Sequence, residues 1–296
     1  MNLTRELVET EVKTVLNRVT GMPFRWSINP YRGCSHACPF CYARRTHWFI
    51  EEDGVNQWSS KIFVKVNAPD VLRRELNRPS WKREEVAVGT ATDPYQAIES
   101  QYRLTRAILE ALRDFRTPVG IITRSPLILR DIDLLTAMAR LADVRVCISV
   151  ATTDAGLARQ IEPTVASPAR RLSAVHALAS RGIRTGVLLA PILPGLTDGR
   201  ESLAGVIRAA RDAGAAFVGH GVLHLGEVTK DAFVRFLSQR YPALLPLYRR
   251  LYPRRYAPAG YQRRVAQVVA AEKARVRLLE SRHLHPPAAA RQLGLF

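Results

Sequence analysis

Short apolar runs alternate with amphipathic stretches along the first three quarters of the chain. The runs are rich in valine and isoleucine and end in small or polar residues, which is typical of buried parallel strands. They lie at residues 24–28, 86–89, 119–123, 144–150, 185–189 and 216–222. Between them, apolar residues recur at helical spacing at 102–115, 129–141, 168–180 and 200–213. The alternation predicts an α/β fold, arranged as a partial (β/α)6 barrel of the TIM type with a helical C-terminal extension.

Local signals add boundaries to this pattern. Gly182 and Gly214 follow predicted helices and indicate where those helices end. Asp198 is placed to cap the helix that begins near residue 200. Residues 51–80 show no period and are predicted to be an irregular link to the second strand.

The C-terminal part of the chain changes character after Leu225. Residues 230–252 and 261–285 are predicted to form long basic helices, with no strand between them. A Pro/Ala spacer and a short apolar end follow. We therefore predict a barrel at residues 1–228, a basic helical extension at 229–285 and a flexible tail at 286–296.

The net charge of the chain indicates nucleic acid as a partner. The 296 residues include 44 Lys and Arg against 26 Asp and Glu, a net charge of +18. Such an excess attracts polyanions, nucleic acid first, although an Arg-rich composition alone also produces it. The polar first residues and the lack of a membrane-spanning apolar run predict a cytoplasmic protein without a membrane partner.

Three of the four cysteines are clustered in the segment NPYRGCSHACPFCYARRTH, at Cys34, Cys38 and Cys41. In a cytoplasmic protein, such a cluster favours metal binding or catalysis over disulfides. Thiolates suit either an iron–sulfur cluster or zinc, and three ligands on a four-iron cluster leave one iron open.

Two alternatives stay open for this cluster. A zinc site would be completed by His36 or His47. Cys147, in the apolar run VRVCISVA, would be the fourth ligand of a closed cluster or, more simply, a buried core thiol.

The C-x3-C-x2-C spacing with Phe40 before the last cysteine resembles the radical S-adenosylmethionine (SAM) superfamily. The resemblance implies that Cys34, Cys38 and Cys41 hold a [4Fe–4S] cluster whose open iron binds SAM. It also implies reductive cleavage of SAM to a 5′-deoxyadenosyl radical, with an electron donor of flavodoxin or ferredoxin type. Phe40 would pack near the adenine, and the backbone around Tyr42 would bond its edge.

The resemblance extends to the branch related to spore photoproduct lyase, often labelled "DNA repair photolyase". Its stretches recur in order between about residues 29 and 225, among them KVNAPDVLRREL, GTATDPYQAIE, ITRSPLILRDIDLL, IEPTVASPARRL and APILPGLTD. This similarity implies action on damaged or modified nucleic acid, including a lyase-type DNA repair reaction.

Polar residues at predicted strand ends are the candidate SAM contacts. The resemblance implies that Asp93, near Thr92, holds the SAM amino group or ribose, although Asp93-Pro94 would also simply start a turn. Arg124, beside Ser125, would pair with the SAM carboxylate, or be a surface arginine.

Two further contacts are predicted at the next strand and the loop after it. Ser149 would bond the ribose, or be ordinary strand-end polarity. Glu162 and Arg171 are predicted to form a structural ion pair.

One departure concerns the reaction itself. Spore photoproduct lyases carry a hydrogen-donating cysteine just upstream of this aspartate, where the present chain has Thr90 and Ala91. This difference argues against the same radical-quenching step, and Tyr95 is an alternative donor.

The last five residues, QLGLF, resemble the peptide by which bacterial polymerases and repair proteins bind the DNA sliding clamp. Gln292 would hydrogen-bond the clamp while Leu293, Leu295 and Phe296 enter an apolar groove. A tail folded back on the barrel, or a chance match, is the alternative.

Three functions remain open at this point. The first is a radical SAM enzyme acting on nucleic acid, and the second is one that modifies a protein or small molecule. The third is a non-enzymatic metal-binding adaptor recruited to the sliding clamp.

Overall fold

A seven-stranded sheet forms the frame of the protein. The computed structural model describes residues 5–48 and 57–278. Its strands are β1 Glu6–Thr10, β2 Asn17–Arg18, β3 Trp26–Ile28, β4 Tyr31–Arg32, β5 Lys61–Lys65, β6 Val86–Val88, β7 Val119–Thr123, β8 Val144–Ser149, β9 Arg184–Ile192 and β10 Phe217–Val222. The large sheet has the order β10-β9-β8-β7-β6-β3-β2. Its neighbours from β3 to β10 pair in parallel, and β2 pairs antiparallel with β3. Because β10 and β2 lie at opposite edges, the barrel is open, which confirms the predicted partial (β/α)6 fold.

Helices connect the parallel strands and cover one face of the sheet. They are α1 Arg45–Trp48, α2 Ala68–Leu76, α3 Glu99–Tyr102, α4 Leu104–Asp114, α5 Ile132–Ala139, α6 Ala155–Ile161, α7 Pro168–Ala179, α8 Arg200–Asp212, α9 Glu227–Arg240, α10 Leu245–Leu251 and α11 Ala259–Arg275. Gly182 and Gly214 adopt φ values of +74° and +77° just past α7 and α8, as predicted. Asp198 does not cap α8, because its carboxylate accepts hydrogen bonds from the Gly195 amide and the Tyr261 hydroxyl instead.

A second, small sheet was not predicted. Its order is β1-β5-β4, and β1 pairs in parallel with β5. Residues 51–80 are therefore not an irregular link, since they contain β5 and α2. In β5, Ile62 and Val64 are buried while Lys61 and Lys65 are half-buried, so two apolar positions among lysines gave too weak a signal.

The two faces of the large sheet differ, and the difference places the cavity. Val146, Ile148 and Val187 belong to the main core on the helix-covered face. On the other face, a Cβ at Gly186 would overlap the ring of Phe217. A Cβ at Gly120 would likewise lie 2.9 Å from Oε1 of Glu85, which pairs with Arg145. These side chains fill the N-terminal end of the barrel and leave space at the carboxyl ends of the strands.

The C-terminal helices pack on the cysteine loop and on the barrel. Phe233 of α9 and Tyr252, just after α10, share an apolar cluster with Cys38 and Phe40. Val265 of α11 joins the main core. This packing brings the helical extension next to the cysteines.

The predicted lengths of these helices were wrong. The helix expected at 230–252 breaks at Tyr241, and a 3-10 turn at Pro242–Leu244 precedes α10. Pro242 has no amide hydrogen to continue α9. The helix expected at 261–285 ends at Arg275, with Arg277 at φ +56°. The proposed domain boundaries at residues 228 and 285 stay predictions. No helix in the described ranges combines the length and the apolar character that a bilayer crossing requires.

Candidate functional site

The three clustered cysteines line one cavity of about 290 Å³ at the carboxyl ends of the strands. They lie on the loop that follows β4. Gly33 begins this loop at φ +90°, and a Cβ there would lie 2.8 Å from the Lys61 carbonyl oxygen, so the close approach requires glycine. The amide of Cys34 donates to the Trp58 carbonyl at 3.2 Å. The small sheet thus fixes the start of the cysteine loop.

The thiols are held in an apolar setting. Cys34 and Cys38 are buried, Cys41 is half-buried, and none is in a disulfide. Burial raises the pKa of Cys38 well above its usual value and raises that of Cys41 to about 11, with the neighbouring thiols adding to both shifts. The Cys38 and Cys41 thiols are therefore protonated at neutral pH without a metal, and metal binding would release their protons.

The described residues present no preformed site for a single metal ion. Among residues 5–48 and 57–278, no three His, Cys, Asp or Glu side chains converge on a point that one metal ion would occupy. Ligands of one zinc lie within about 4 Å of each other, because the Zn–S distance is about 2.3 Å. The three thiolates of a [4Fe–4S] cluster bind different irons and need only share a cavity wall.

The other residues considered as metal ligands differ in position, because His36 lines the cavity beside Cys34, whereas His47 and Cys147 are not among the described residues that line it. Nδ1 of His36 lies 3.3 Å from Oδ2 of Asp93. Nε2 of His47 is 3.1 Å from the Lys61 carbonyl oxygen. Cys147 is buried in β8, where burial raises its pKa to about 12, and within the described chain it does not line the cavity. It behaves as the predicted core thiol.

Asp93 is the hub of the cavity wall. Its Oδ1 accepts hydrogen bonds from the Thr123 hydroxyl at 2.6 Å and the Tyr95 amide at 2.9 Å. Its Oδ2 accepts one from the Arg124 amide at 2.7 Å and faces His36. Burial alone would lower the pKa of His36, but the Asp93 carboxylate together with Cys34 outweighs it and raises that pKa to about 10. Asp93 thus forms the predicted turn and also joins three segments of the site.

A buried ion network backs the cavity beside Arg124. Arg124 Nε donates to Glu162 Oε1 at 2.9 Å, and its guanidinium lies 5.8 Å from the centre of the Phe40 ring. Arg171 donates to Glu162 Oε2 at 2.7 Å, which is the predicted Glu162–Arg171 pair. Burial would raise the pKa of Glu162, but Arg171 and Arg124 together hold it below its usual value. Arg124 is therefore a cavity cation oriented by Glu162, not a loose surface arginine.

The remaining predicted SAM contacts divide into two groups. Phe40, Tyr42 and Thr92 line the cavity, and the Thr92 hydroxyl donates to the Gly33 carbonyl at 2.6 Å. Ser125 does not line it among the described residues, because its hydroxyl accepts from the Leu127 amide and starts a 3-10 turn. The cavity therefore gathers every predicted SAM residue except Ser125.

Ser149 is the predicted SAM contact whose side chain is most available to a ligand. It lines the cavity at the end of β8, and its buried Oγ has no hydrogen-bond partner within the described chain. A buried hydroxyl without a partner is costly, so a bound ligand would satisfy it.

Replacing Ser149 by Ala is expected to leave the melting temperature of the ligand-free protein unchanged or slightly raised, because no protein hydrogen bond is lost. SAM affinity should fall about three- to tenfold, the worth of one neutral hydrogen bond. Calorimetric titration with SAM on the reconstituted protein measures this. A melting temperature several degrees lower with unchanged SAM affinity would contradict the assignment.

Three residues that hold the cysteine loop in place were not predicted from the sequence. Gln96 accepts from the Ser35 amide at 2.8 Å, and Thr164 donates to the His36 carbonyl at 2.7 Å. The Thr229 hydroxyl donates to the Cys41 carbonyl at 3.2 Å. Gln96 and Thr164 lie in the family-like stretches GTATDPYQ and IEPTVASP, but their partners are distant in sequence. Gln292, Leu293, Leu295 and Phe296 lie outside the described residues, and clamp binding stays a prediction.

Comparison with known proteins agrees with this geometry. A family model described as "Radical SAM superfamily" matches residues 28–207. The uncharacterized protein Rv2578c of Mycobacterium tuberculosis is 39% identical over 94% of this chain and 83% of its own length. The uncharacterized protein MJ0683 of Methanocaldococcus jannaschii is 30% identical over 67% of this chain and 72% of its own.

The fold also matches solved structures. A spore photoproduct lyase variant with bound AdoMet and dinucleoside spore photoproduct superposes with a TM-score of 0.66 at 18% identity. The match covers 91% of this chain and 79% of that one. Another spore photoproduct lyase structure, complexed with dinucleoside spore photoproduct, matches with the same TM-score at 17% identity over the same shares of the two chains. These likenesses show a shared fold.

Proposed function

Because the chain belongs to the radical SAM superfamily, we propose that it cleaves SAM reductively with a [4Fe–4S] cluster and acts on damaged or modified nucleic acid. One observation carries the proposal: Cys34, Cys38 and Cys41 share a single cavity with Asp93 and Arg124. When bound, the cluster supplies the electron that splits SAM into methionine and a 5′-deoxyadenosyl radical. The protein supplies binding, orientation and the exclusion of water.

The cavity residues have distinct roles in this proposal. Arg124, held by Glu162, presents a fixed cation to the SAM carboxylate. Ser149 offers its unpartnered hydroxyl to the ribose. Asp93 acts mainly by holding His36 and the Arg124 backbone in place, since both of its oxygens are already bonded. The cysteine thiolates bind the cluster.

Part of the cavity lining is apolar and suited to a radical reaction. It consists of Ile122, Leu188, Ala190 and Leu223, with Gly221 in the same lining. Such an apolar wall excludes water and offers no hydroxyl or thiol that would quench a radical by chance. A substrate would therefore pack against this apolar part of the lining, where Gly221 has no side chain to fill the space.

Aromatic and basic residues at the edge of the cavity support the proposal that the substrate is nucleic acid. His224 lines the cavity, and its ring lies 4.7 Å from that of Tyr256, which is 36% exposed. Burial, aided by Arg255, lowers the pKa of His224 to about 4, so its ring is neutral at physiological pH. An exposed aromatic ring beside the exposed side chains of Arg254 and Arg255 is the arrangement on which unpaired bases stack. The net charge of +18 points the same way.

The reaction differs from that of the best-known relatives in its final hydrogen transfer. Thr90 and Ala91 line the cavity where spore photoproduct lyases carry their cysteine. Tyr95 does not serve as a replacement, because in the described chain it lies in the main core beside Arg130 and outside the cavity lining. The Tyr42 hydroxyl, which donates to the Thr90 carbonyl, is the phenol nearest to this position. We therefore propose that the protein acts on damaged or modified nucleic acid but does not use a cysteine for the final hydrogen transfer.

Turnover with nucleic acid tests the proposal. The reconstituted, dithionite-reduced protein is incubated with SAM alone, with undamaged DNA, with ultraviolet-irradiated DNA and with transfer RNA. One nucleic acid should raise the yield of 5′-deoxyadenosine above that of SAM alone. Equal yields in every mixture would favour the alternative of a protein or small-molecule substrate.

Replacing Arg254 and Arg255 together by Gln is expected to weaken binding to single-stranded DNA and to reduce its dependence on salt. Each lost phosphate contact lowers the slope of log K against log salt by about 1. Fluorescence anisotropy with a labelled oligonucleotide between low and physiological salt measures the slope. The matched control is Arg208→Gln together with Arg211→Gln on α8, and an equal loss in this control would contradict the assignment.

A further inference from the structure

Arg44 folds back over the cysteine loop from the turn just after Cys41. Its guanidinium donates to the carbonyls of Ala37 at 3.4 Å and Cys38 at 3.2 Å. Ala37 adopts φ +54°, so the arginine braces a strained turn between two cysteines. The side chain is half-buried, and its Nε is fully shielded from solvent. Arg44 is therefore fixed against the loop that would carry the cluster.

No carboxylate within the described ranges forms an ion pair with Arg44, and its Nε has no hydrogen-bond partner there. The acids nearest the cysteine loop are already used: Asp93 pairs with His36, and Glu162 pairs with Arg124 and Arg171. The charged neighbour that reaches Arg44 from α9 is Arg235, a second cation.

The groups placed to oppose this positive charge are the three cysteines once they are thiolates, because Arg44 is hydrogen-bonded to the Cys38 carbonyl of the loop that carries them. Burial and the positive charge of Arg235 both disfavour the charged form of Arg44 and lower its pKa. A cation taken partly out of water without a counter-ion is unfavourable. A cluster bound by three thiolates is anionic and would supply the missing counter-charge.

We propose that Arg44 is the counter-cation of the iron–sulfur cluster and favours its reduced state. This inference rests on the proposed function, because it needs the cluster in place. Reduction adds one negative charge to the cluster, and a nearby fixed cation stabilises the reduced form more than the oxidised form. Arg44 would thereby make the cluster easier to reduce, and the reduced cluster supplies the electron that cleaves SAM.

The test is a redox titration of reconstituted protein without SAM, followed by the electron paramagnetic resonance signal of the reduced cluster. Arg44→Gln should lower the ratio of reduced to oxidised cluster at a fixed potential about tenfold, a midpoint shift of about 59 mV for one electron. Arg44→Lys, which keeps the charge, should stay close to the wild type. Arg45→Gln, at the adjacent exposed residue, is the matched control and should not shift.

A second readout separates charge from bracing. If Arg44 lacks a counter-ion in the cluster-free protein, apo Arg44→Gln should melt at or above the wild-type temperature. A lower apo melting temperature with an unchanged midpoint would assign Arg44 to bracing alone and overturn the proposal. Should Arg44→Gln retain no cluster, Arg235→Gln reports instead, with a smaller shift in the same direction expected and no shift overturning the proposal. A wild-type protein that binds no cluster would refute the proposed function itself.

Discussion

Replacing Cys34, Cys38 and Cys41 together by alanine is expected to remove bound iron and to reduce SAM cleavage by more than about a thousandfold, because the cofactor carries the difficult chemistry. The three thiols line the same cavity and are in no disulfide, so their loss removes ligands without breaking a crosslink. Iron analysis and chromatographic detection of 5′-deoxyadenosine measure the two effects.

Cys147 provides the control for this experiment. It is more deeply buried than the clustered cysteines but lies within β8, and among the described residues it is not part of the cavity wall. Cys147→Ala should keep the full iron content and full SAM cleavage after reconstitution. Iron retained by the triple variant, or lost from Cys147→Ala, would contradict the assignment of the ligands.

Replacing Asp93 by Ala is expected to destabilise the protein by about 3–5 kcal/mol, the cost of breaking a buried, hydrogen-bonded ion pair. The substitution removes the partner of the His36 ring and leaves the Thr123 hydroxyl and two backbone amides without their acceptor in a largely buried site. For a protein of this size, the melting temperature should fall by about 5–8 °C. Thermal unfolding of the apo protein measures it.

Asp212 is a matched acid outside the site. Its side chain is 62% exposed and pairs only with its neighbour Arg211 among the described residues. Asp212→Ala should change the free energy of unfolding by no more than about 0.5 kcal/mol. If Asp93→Ala melts like Asp212→Ala, the hub described around Asp93 does not exist.

The six parallel strands of the large sheet were predictable because they bury both faces or end in polar residues, whereas β2, with two exposed residues, was not predicted. β7 and β8 read as continuous apolar runs and lie where the pattern predicts them. β5 was missed because only two of its five residues are buried and lysines flank them. The break after α9 was not predicted because the sequence up to Tyr241 is compatible with a helix, and only Pro242 indicates the end.

The site shows the same division. The cysteine spacing is local, so the sequence alone is enough to predict the ligands, and the structure brings the three cysteines to one cavity. The ion pair of Arg124 could not be predicted from the local sequence, because its partner Glu162 lies 38 residues away and is brought close only by the fold. Ser125 was placed in the cavity from its position next to Arg124, but its hydroxyl turns back to Leu127. Adjacent residues at a strand end point in different directions, and sequence spacing does not show which one faces the ligand.

The central claim is that this cavity assembles a cluster that cleaves SAM. The most direct measurement is to reconstitute the wild-type protein without oxygen, reduce it with dithionite, add SAM and quantify iron, 5′-deoxyadenosine and methionine. We predict about four irons per chain, with 5′-deoxyadenosine and methionine formed in equal amounts. One zinc per chain, or bound iron with intact SAM, would contradict the account.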